Sequence, residues 1–286
     1  MSRTLSPTVR RRRLARVLRG LREAAGLTLD TASKQAALPR ATLGKLETAD
    51  LKRLRLTDLD SLARLYAVDD KTRLAMHQLA KDAEQRGWWS KYRDVFSPGS
   101  LPDFEAEASV IRTYEAQVVP GLLQTREYAC AVFTGTNAFA EDEVKRHVDA
   151  RMERQYILKH PYPPEYAAII DEAVLRRPAG GRQAMVEQLH HLAELATLRH
   201  VTIHVLPFAA GMHAANLGGF MIMDFPDDAD PAIAYAETPA SILFVEEEED
   251  IRRNDAMWRE ALNASLTVAQ SIDFIEEVAT SLESDQ

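Results

Sequence analysis

Apolar residues recur at helical spacing through the first 86 residues of the chain. Leu14, Val17, Leu18 and Leu21 follow the i, i+3, i+4, i+7 pattern, which predicts an amphipathic helix over residues 9–25. Similar stripes predict four more helices: a short one after Thr28, then 39–47, 57–67 and 70–86. The pattern therefore predicts an N-terminal bundle of five helices.

The pattern changes in the second part of the chain. Residues 104–135 are expected to form one long helix that is broken at Pro120-Gly121. Further helices are predicted over 141–160, 182–199, 248–263 and 267–282, and β-rich segments at 166–175, 201–208, 219–225, 233–237 and 241–247. Strands and helices mixed in this way indicate an α+β domain with a small, largely antiparallel sheet, in a protein that is mainly α overall.

The segment between the first and third helices has the layout of a helix-turn-helix. Gly26 suits a helix C-terminal cap and Thr28 an N-terminal cap. In the third helix, Leu43 and Leu46 share one side. The opposite side carries Arg40, Ala41, Gly44 and Lys45. A short helix with a basic face and little bulk is suited to the major groove of DNA.

Particular residues follow from that layout as candidate DNA contacts. Arg40 and Lys45 are predicted to read or clamp bases, with Ala41 and Thr42 beside them. The remaining candidates are Thr28 at the start of the second helix and the phosphate-binding Arg11, Arg12, Arg13, Lys52 and Arg53.

The charge is divided unevenly along the 286 residues. Residues 1–93 hold 21 Lys and Arg against 10 Asp and Glu, whereas the rest holds 14 against 33. A basic segment followed by an acidic one favours nucleic-acid binding by the first. The acidic remainder suits either a solvated surface or a basic partner.

The first part of the chain resembles the DNA-binding domain of the Cro/CI-type (XRE) repressors. The resemblance covers residues 14–68 and is carried by the first helix, Gly26-Leu27-Thr28, Ala36 and the run Arg40–Glu47. Three positions depart from the family pattern: Leu29, Ala37 and Pro39 stand where Gln, Gly and Ser or Thr are frequent. The resemblance implies a helix-turn-helix fold and operator binding.

The second part resembles a C-terminal domain of actinobacterial helix-turn-helix regulators of the WhiJ type. The motifs PGLLQT-REYA, IIDEAVLRRP-GG, QL-HL and VTIHVLPF-AG-H carry this resemblance over residues 104–282. It implies a role in regulation, through a signal or a small partner protein, and no defined reaction.

Few residues of the second part suggest other chemistry. Glu105, Glu107 and Glu115 are interpreted as a solvated helix face rather than an acid–base pair, and Cys130 as a buried thiol. The histidines 190, 191, 200, 204 and 213 lack the spacing of a metal site. We therefore expect no catalytic residues, no metal and no cofactor.

The expected organisation is a DNA-binding domain over 1–86, a linker over 87–103 and a regulatory domain over 104–286. The aromatic residues of the linker either clamp the two domains or stack on bases. No apolar run is long enough to span a membrane, and no signal peptide is apparent, so we expect a cytoplasmic protein that joins the nucleoid when bound to DNA.

These observations favour a sequence-specific transcriptional regulator, not an enzyme, that binds double-stranded DNA as a homodimer and senses a ligand or protein. Two alternatives remain. One is an antitoxin-like protein that pairs with a small partner and represses its own gene. The other is an enzyme in residues 104–282 that is tethered to DNA.

Overall fold

The computed structural model describes residues 6–51, 53–85, 87–97, 99–227, 230–238 and 241–284. Contacts between residues divide the chain into two compact units, Met1–Glu107 and Ala108–Gln286. The first is a helical bundle, and the second combines helices with a mixed sheet, which confirms the predicted fold class. None of the described helices combines the length and hydropathy that crossing a membrane requires.

The first unit contains the five predicted helices, and their ends follow local capping rules. Within its described residues they are α1 (Pro7–Ala24), α2 (Leu29–Gln35), α3 (Arg40–Glu47), α4 (Leu56–Leu65) and α5 (Asp70–Asp82). Ser6, Thr28 and Asp69 cap α1, α2 and α5 by accepting a hydrogen bond from a backbone N–H three residues later. The predicted boundaries differ from these by a few residues.

The core of this bundle is made by the apolar stripes that the sequence predicts. Leu14 and Leu18 of α1 are buried against Ala32 of α2 and Leu43 of α3. Leucines 59 and 62 of α4 complete the same cluster. Burial of these side chains, rather than helix propensity, stabilises helices as short as α2 and α3.

Residues 87–107 belong to the first unit by their contacts. A 3-10 helix (Trp88–Tyr92) buries Trp89 and Tyr92, and a short helix, α6 (Leu101–Glu105), follows. The Glu107 carboxylate accepts a hydrogen bond from the Ser6 N–H and pairs with Arg10 at 2.8 Å. The residues directly after the segment interpreted as a linker are therefore attached to the start of α1.

The second unit is built around a sheet of six strands within the described residues. They are β1 (Val110–Glu115), β2 (Glu165–Asp171), β3 (Val201–Leu206), β4 (Phe220–Asp224), β5 (Ile233–Thr238) and β6 (Ser241–Val245). Their spatial order is β3-β2-β1-β4-β5-β6. The β1–β2 and β2–β3 pairs are parallel, and the pairs on the other side of β1 are antiparallel.

The long helix predicted over residues 104–135 is wrong. Residues 104–135 form α6, β1, a 3-10 turn and α7 (Arg126–Gly135) instead of one broken helix. Strand β1 lies in the middle of the sheet, where Ile111, Thr113 and Tyr114 are buried, and its pairing with β2 and β4 outweighs the helical spacing of its apolar residues.

The structure also contradicts the expected environment of four side chains in or next to this segment. Glu105 and Glu107 are buried, and Glu115 is partly buried, so they do not form a solvated helix face. Cys130 is exposed on α7, contrary to the expectation of a buried thiol.

Helices cover the sheet. Besides α7, the described residues of the second unit form α8 (Glu141–Arg154), α9 (Glu172–Arg176), α10 (Gly181–Leu195), α11 (Glu248–Ala264) and α12 (Val268–Ser284). Trp258 of α11 packs with Tyr114 and Ile222 on one face of the sheet. The acidic first turn of α11 places carboxylates at the positive end of the helix dipole.

Candidate nucleic-acid interface

Helices α2 and α3 are joined by a tight turn. Ala37 adopts a left-handed conformation (φ 55°), and the Leu38 N–H donates to the Ser33 carbonyl at 2.9 Å. Pro39 then precedes α3 without a side-chain cap. The turn therefore fixes the direction of α3, although Ala37 occupies a conformation that favours glycine.

Helix α3 exposes the residues that the sequence assigns to DNA. Leu43 and Leu46 are buried, whereas Arg40, Ala41 and Lys45 are exposed. Thr42 is partly buried beside them. The structure thus brings together the small and cationic side chains predicted for base contact.

Gly44 differs from the predicted arrangement. It is partly buried, and a Cβ added to it would lie 3.7 Å from Cδ2 of Leu29 in α2. Gly44 therefore lies at the edge of the exposed face, against α2, and Leu29 packs on the core of the bundle. Because 3.7 Å is an ordinary van der Waals distance, packing against α2 does not require a glycine at this position.

Arg40 has a partner within the motif. Its guanidinium group forms an ion pair with the carboxylate of Asp30, in the first turn of α2. Both side chains are mostly exposed, so water screens the pair and it contributes little to stability. Arg40 can exchange this partner for a ligand with small energetic cost.

A second ion pair connects α1 to α3. Glu47 accepts hydrogen bonds from Arg22 Nε at 2.8 Å and Nη2 at 2.8 Å, and Arg22 Nη1 donates to the Leu27 carbonyl at 2.9 Å. The hydrogen bonds to Glu47 raise the pKa of Arg22. Sequence reasoning missed this pair because no local pattern links side chains 25 positions apart.

The residues predicted to contact phosphates lie in two parts of the first unit: beside α2 and α3, and near the start of α1. Thr28 is exposed at the start of α2, where its Oγ1 accepts from the Thr31 N–H at 3.1 Å, and Arg53 is exposed after α3. Lys52 lies outside the described residues. Arg11 donates to the Pro7 carbonyl and Arg12 lies over the Phe104 ring, so both are partly buried near the start of α1.

The histidines of the second unit are distributed among separate contacts. His204 Nδ1 lies 2.9 Å from the Leu266 carbonyl oxygen, and His200 Nε2 lies 2.9 Å from that of Leu158. His190 contacts Glu283 at 3.1 Å. In the described ranges, no three His, Cys, Asp or Glu side chains are grouped as metal ligands would be.

Two family models match different parts of the chain. A family model described as a helix-turn-helix domain matches residues 13–76, which supports a DNA-binding regulator. No curated protein and no solved structure matches the chain. A second model, described as a domain of unknown function (DUF5753), matches residues 99–277. Since that match spans more than half of the sequence, the chain belongs to the DUF5753 family.

Proposed function

We propose that this chain is a sequence-specific, DNA-binding transcriptional regulator of the XRE type, and that α3 enters the major groove. The observation that carries this proposal is the exposed face of α3. Arg40, Ala41 and Lys45 project from a helix that is fixed through buried Leu43 and Leu46. Long cationic side chains separated by a small one can reach base edges without steric conflict.

Arg40 and Lys45 make the base contacts in this proposal, with Ala41 and Thr42 packed beside them. Arg40 gives up its ion pair with Asp30 and donates two hydrogen bonds to the O6 and N7 atoms of a guanine. Thr28, Lys52 and Arg53 orient the protein on phosphates, and Arg11 and Arg12 contribute to the basic surface around α1. Asp30 would then repel phosphates wherever Arg40 finds no matching base.

The regulator acts as a homodimer in this proposal. One recognition helix reads only a few base pairs, and two helices about one turn of DNA apart multiply the specificity. The second unit senses a ligand or protein, as in the WhiJ-type regulators that its motifs resemble, and it performs no reaction. The protein works in the cytoplasm, at the nucleoid when it is bound.

A second candidate function is that of an antitoxin-like protein that pairs with a small partner protein. It is favoured by the connection between β3 and β4, where Met212 is 88% exposed and Leu217 is 96% exposed. Phe208 is also exposed nearby. Apolar side chains grouped on a surface are typical of protein–protein contacts.

Selection of duplexes from a random pool with the full chain tests the first proposal. We expect enrichment of a two-fold symmetric site whose half-sites are about 10 base pairs apart. Binding without any enriched sequence would contradict sequence-specific regulation.

Purification of the chain from its own host distinguishes the second candidate. A stoichiometric small protein, whose deletion leaves the chain insoluble or its own promoter unregulated, would favour the antitoxin-like function. A chain that stays soluble and regulated without such a partner would argue against it.

A further inference from the structure

Strand β6 forms one edge of the six-stranded sheet and pairs with β5 on its inner side. In an antiparallel pair, every second residue of a strand turns its N–H and C=O groups away from the neighbouring strand. In the described ranges, no residue outside β5 hydrogen-bonds to the backbone of Ile242 or Leu243. One of these two neighbours therefore presents an open donor and an open acceptor at the edge.

The opposite edge of the sheet, at β3, is closed. The Val205 N–H donates to Ser271 Oγ at 2.9 Å, and the Val205 carbonyl accepts from the Leu266 N–H at 2.9 Å. Helix α12 and the residues that lead into it thus take the place of a further strand beside β3. The two edges differ, because β3 is covered whereas β6 can still pair.

The side chains of β6 are apolar and incompletely covered. Ile242 and Leu243 point to opposite faces of the sheet, and they are 55% and 56% exposed. The strand Ser241–Val245 includes no charged residue and no proline. Charged residues and prolines are the usual means by which exposed edge strands avoid pairing with other chains. The composition of β6 therefore favours pairing.

We propose that β6 pairs with β6 of a second copy of this chain, in an antiparallel arrangement centred on Leu243. The two sheets then form one continuous sheet across a two-fold axis. Ile242 of each copy lies opposite Phe244 of the other, and the two Leu243 side chains lie opposite each other. Apolar side chains meet on both faces, and such cross-strand pairs stabilise a sheet.

The charges that follow β6 are compatible with this arrangement. The acidic run Glu246–Asp250 begins directly after the strand, three positions beyond Leu243. A parallel pair would place the two Glu246 residues about 5 Å apart. The antiparallel pair separates them by about 20 Å, well beyond the Debye length of about 8 Å at physiological ionic strength. Two copies therefore pair without repulsion between their acidic runs.

A second copy also fits β6 better than a basic partner protein does. A basic strand would find no carboxylate within Ser241–Val245 and would meet acidic side chains only beyond the end of β6. The recognition that β6 itself offers is apolar and repeats about Leu243, which is what a two-fold contact between identical strands requires.

This inference rests on the proposed function only where it identifies the contact between the two copies of the proposed homodimer. Self-association is measurable without DNA. The interface and the regulator can therefore fail separately.

Analytical ultracentrifugation of the full chain without DNA tests the pairing. We expect a dimer of the 32.0 kDa chain. Leu243→Lys places two ammonium groups opposite each other at the axis and should raise the dimer Kd by about 10-fold or more. Leu217→Lys introduces the same charge at another exposed apolar position of the second unit, and it should leave the Kd unchanged.

A disulfide cross-link tests the register and does not depend on destabilising the strand. Leu243→Cys, in a chain that also carries Cys130→Ser, brings two thiols together at the axis. Opposite residues of an antiparallel pair have Cα atoms about 4.5–5.5 Å apart, which suits a disulfide, so mild oxidation should give a covalent dimer. Ser241→Cys is the control, because its two thiols would be about 14 Å apart and should remain unlinked.

Three results would overturn the inference. The first is a chain that remains monomeric at every soluble concentration. The second is a dimer that Leu243→Lys and Leu217→Lys weaken equally, or equal cross-linking of Leu243→Cys and Ser241→Cys. The third is a small host protein that binds the monomeric chain and is lost in Leu243→Lys, which would assign the edge to a different partner.

Duplex selection with the same chain separates the interface from the regulator. A dimer that Leu243→Lys dissociates, together with no selected duplex, establishes the interface and refutes the proposed regulator. A selected duplex that is bound by a monomeric chain refutes the interface and leaves DNA binding in place. When both claims hold, Leu243→Lys should bind the symmetric duplex about 10-fold more weakly and a single half-site equally well.

Discussion

Arg22 and Glu47 join α1 to α3 through a bidentate ion pair. The side chains are 13% and 6% exposed, and every hydrogen bond between Nε or Nη2 of Arg22 and the Glu47 carboxylate is 3.0 Å or shorter. We expect Glu47→Gln or Arg22→Gln to reduce the free energy of unfolding by about 3–5 kcal/mol, since either change leaves a buried group without its partner.

Urea unfolding followed by circular dichroism measures this effect. Arg19→Gln breaks an exposed pair with Glu23 on the same helix, and it should cost less than about 1 kcal/mol. If Arg19→Gln and the Arg22 or Glu47 variants reduced the free energy of unfolding by similar amounts, the Arg22–Glu47 pair would not determine the position of α3.

Arg40→Ala should reduce affinity for the selected duplex by about 10–100-fold, the loss that accompanies one bidentate contact with a base. Arg53→Ala is the matched control, because Arg53 is also an exposed arginine of the first unit. It should weaken binding to all duplexes equally. The slope of log Kd against log salt concentration should fall by the amount expected for about one phosphate contact. Gel-shift titrations at several salt concentrations distinguish the two, and unchanged specificity in Arg40→Ala would place the reading face elsewhere.

Gly44→Ala should stabilise the protein by about 0.5–1 kcal/mol. An added Cβ would make ordinary van der Waals contact with Leu29, and alanine has the higher helix propensity. The change in urea midpoint measures this. Since Gly44 lies at the edge of the surface proposed to face DNA, duplex affinity should change by less than about 3-fold. A large loss of duplex affinity with intact stability would indicate that DNA contacts Gly44 closely.

Ala37→Gly should stabilise the turn between α2 and α3 by about 0.5–1 kcal/mol. Ala37 has φ 55°, and relief of the left-handed strain exceeds the entropy that glycine adds to the unfolded chain. Thermal unfolding measures the change. Ala36→Gly is the contrasting variant, because Ala36 has φ −80° and is buried, and it should destabilise the protein.

Glu115 should make the folded state less stable as pH rises. Its pKa is about 7 in the folded chain and 4.5 when unperturbed, so the folded state binds the proton more tightly. Below pH 4.5 the proton on Glu115 adds about 1–3 kcal/mol to the free energy of unfolding, and this stabilisation is lost as pH rises toward 7.

Urea unfolding between pH 4.5 and 8 checks the effect. Glu115→Gln should flatten the fall in stability across this range, whereas Glu127→Gln should retain it. The same slope in both variants would show that Glu115 ionises normally. The charged groups that act on Glu115 are Glu237, Arg154 and Arg151, and neither Glu115→Gln nor Glu127→Gln changes them.

Local rules in the chain account for the helical unit. The spacing of Leu14 and Leu18, the cap at Thr28 and the exposed basic side chains of α3 are all visible in the sequence, because each depends on residues a few positions apart. The predicted strands β2 to β6 also appear near their expected positions, since short β-rich segments are separated by turns or helices.

Tertiary structure decided what depends on distant neighbours. Val110–Glu115 is a strand because β2 and β4 pair with it from both sides, and this pairing outweighs the helical spacing that predicted a helix there. Likewise, burial and repulsion from Glu237, 122 positions further along the chain, raise the pKa of Glu115 against the attraction of Arg154 and Arg151. Periodicity reports the solvent-facing and core-facing sides of one element, whereas charge pairing and central strands arise only when separate elements pack together.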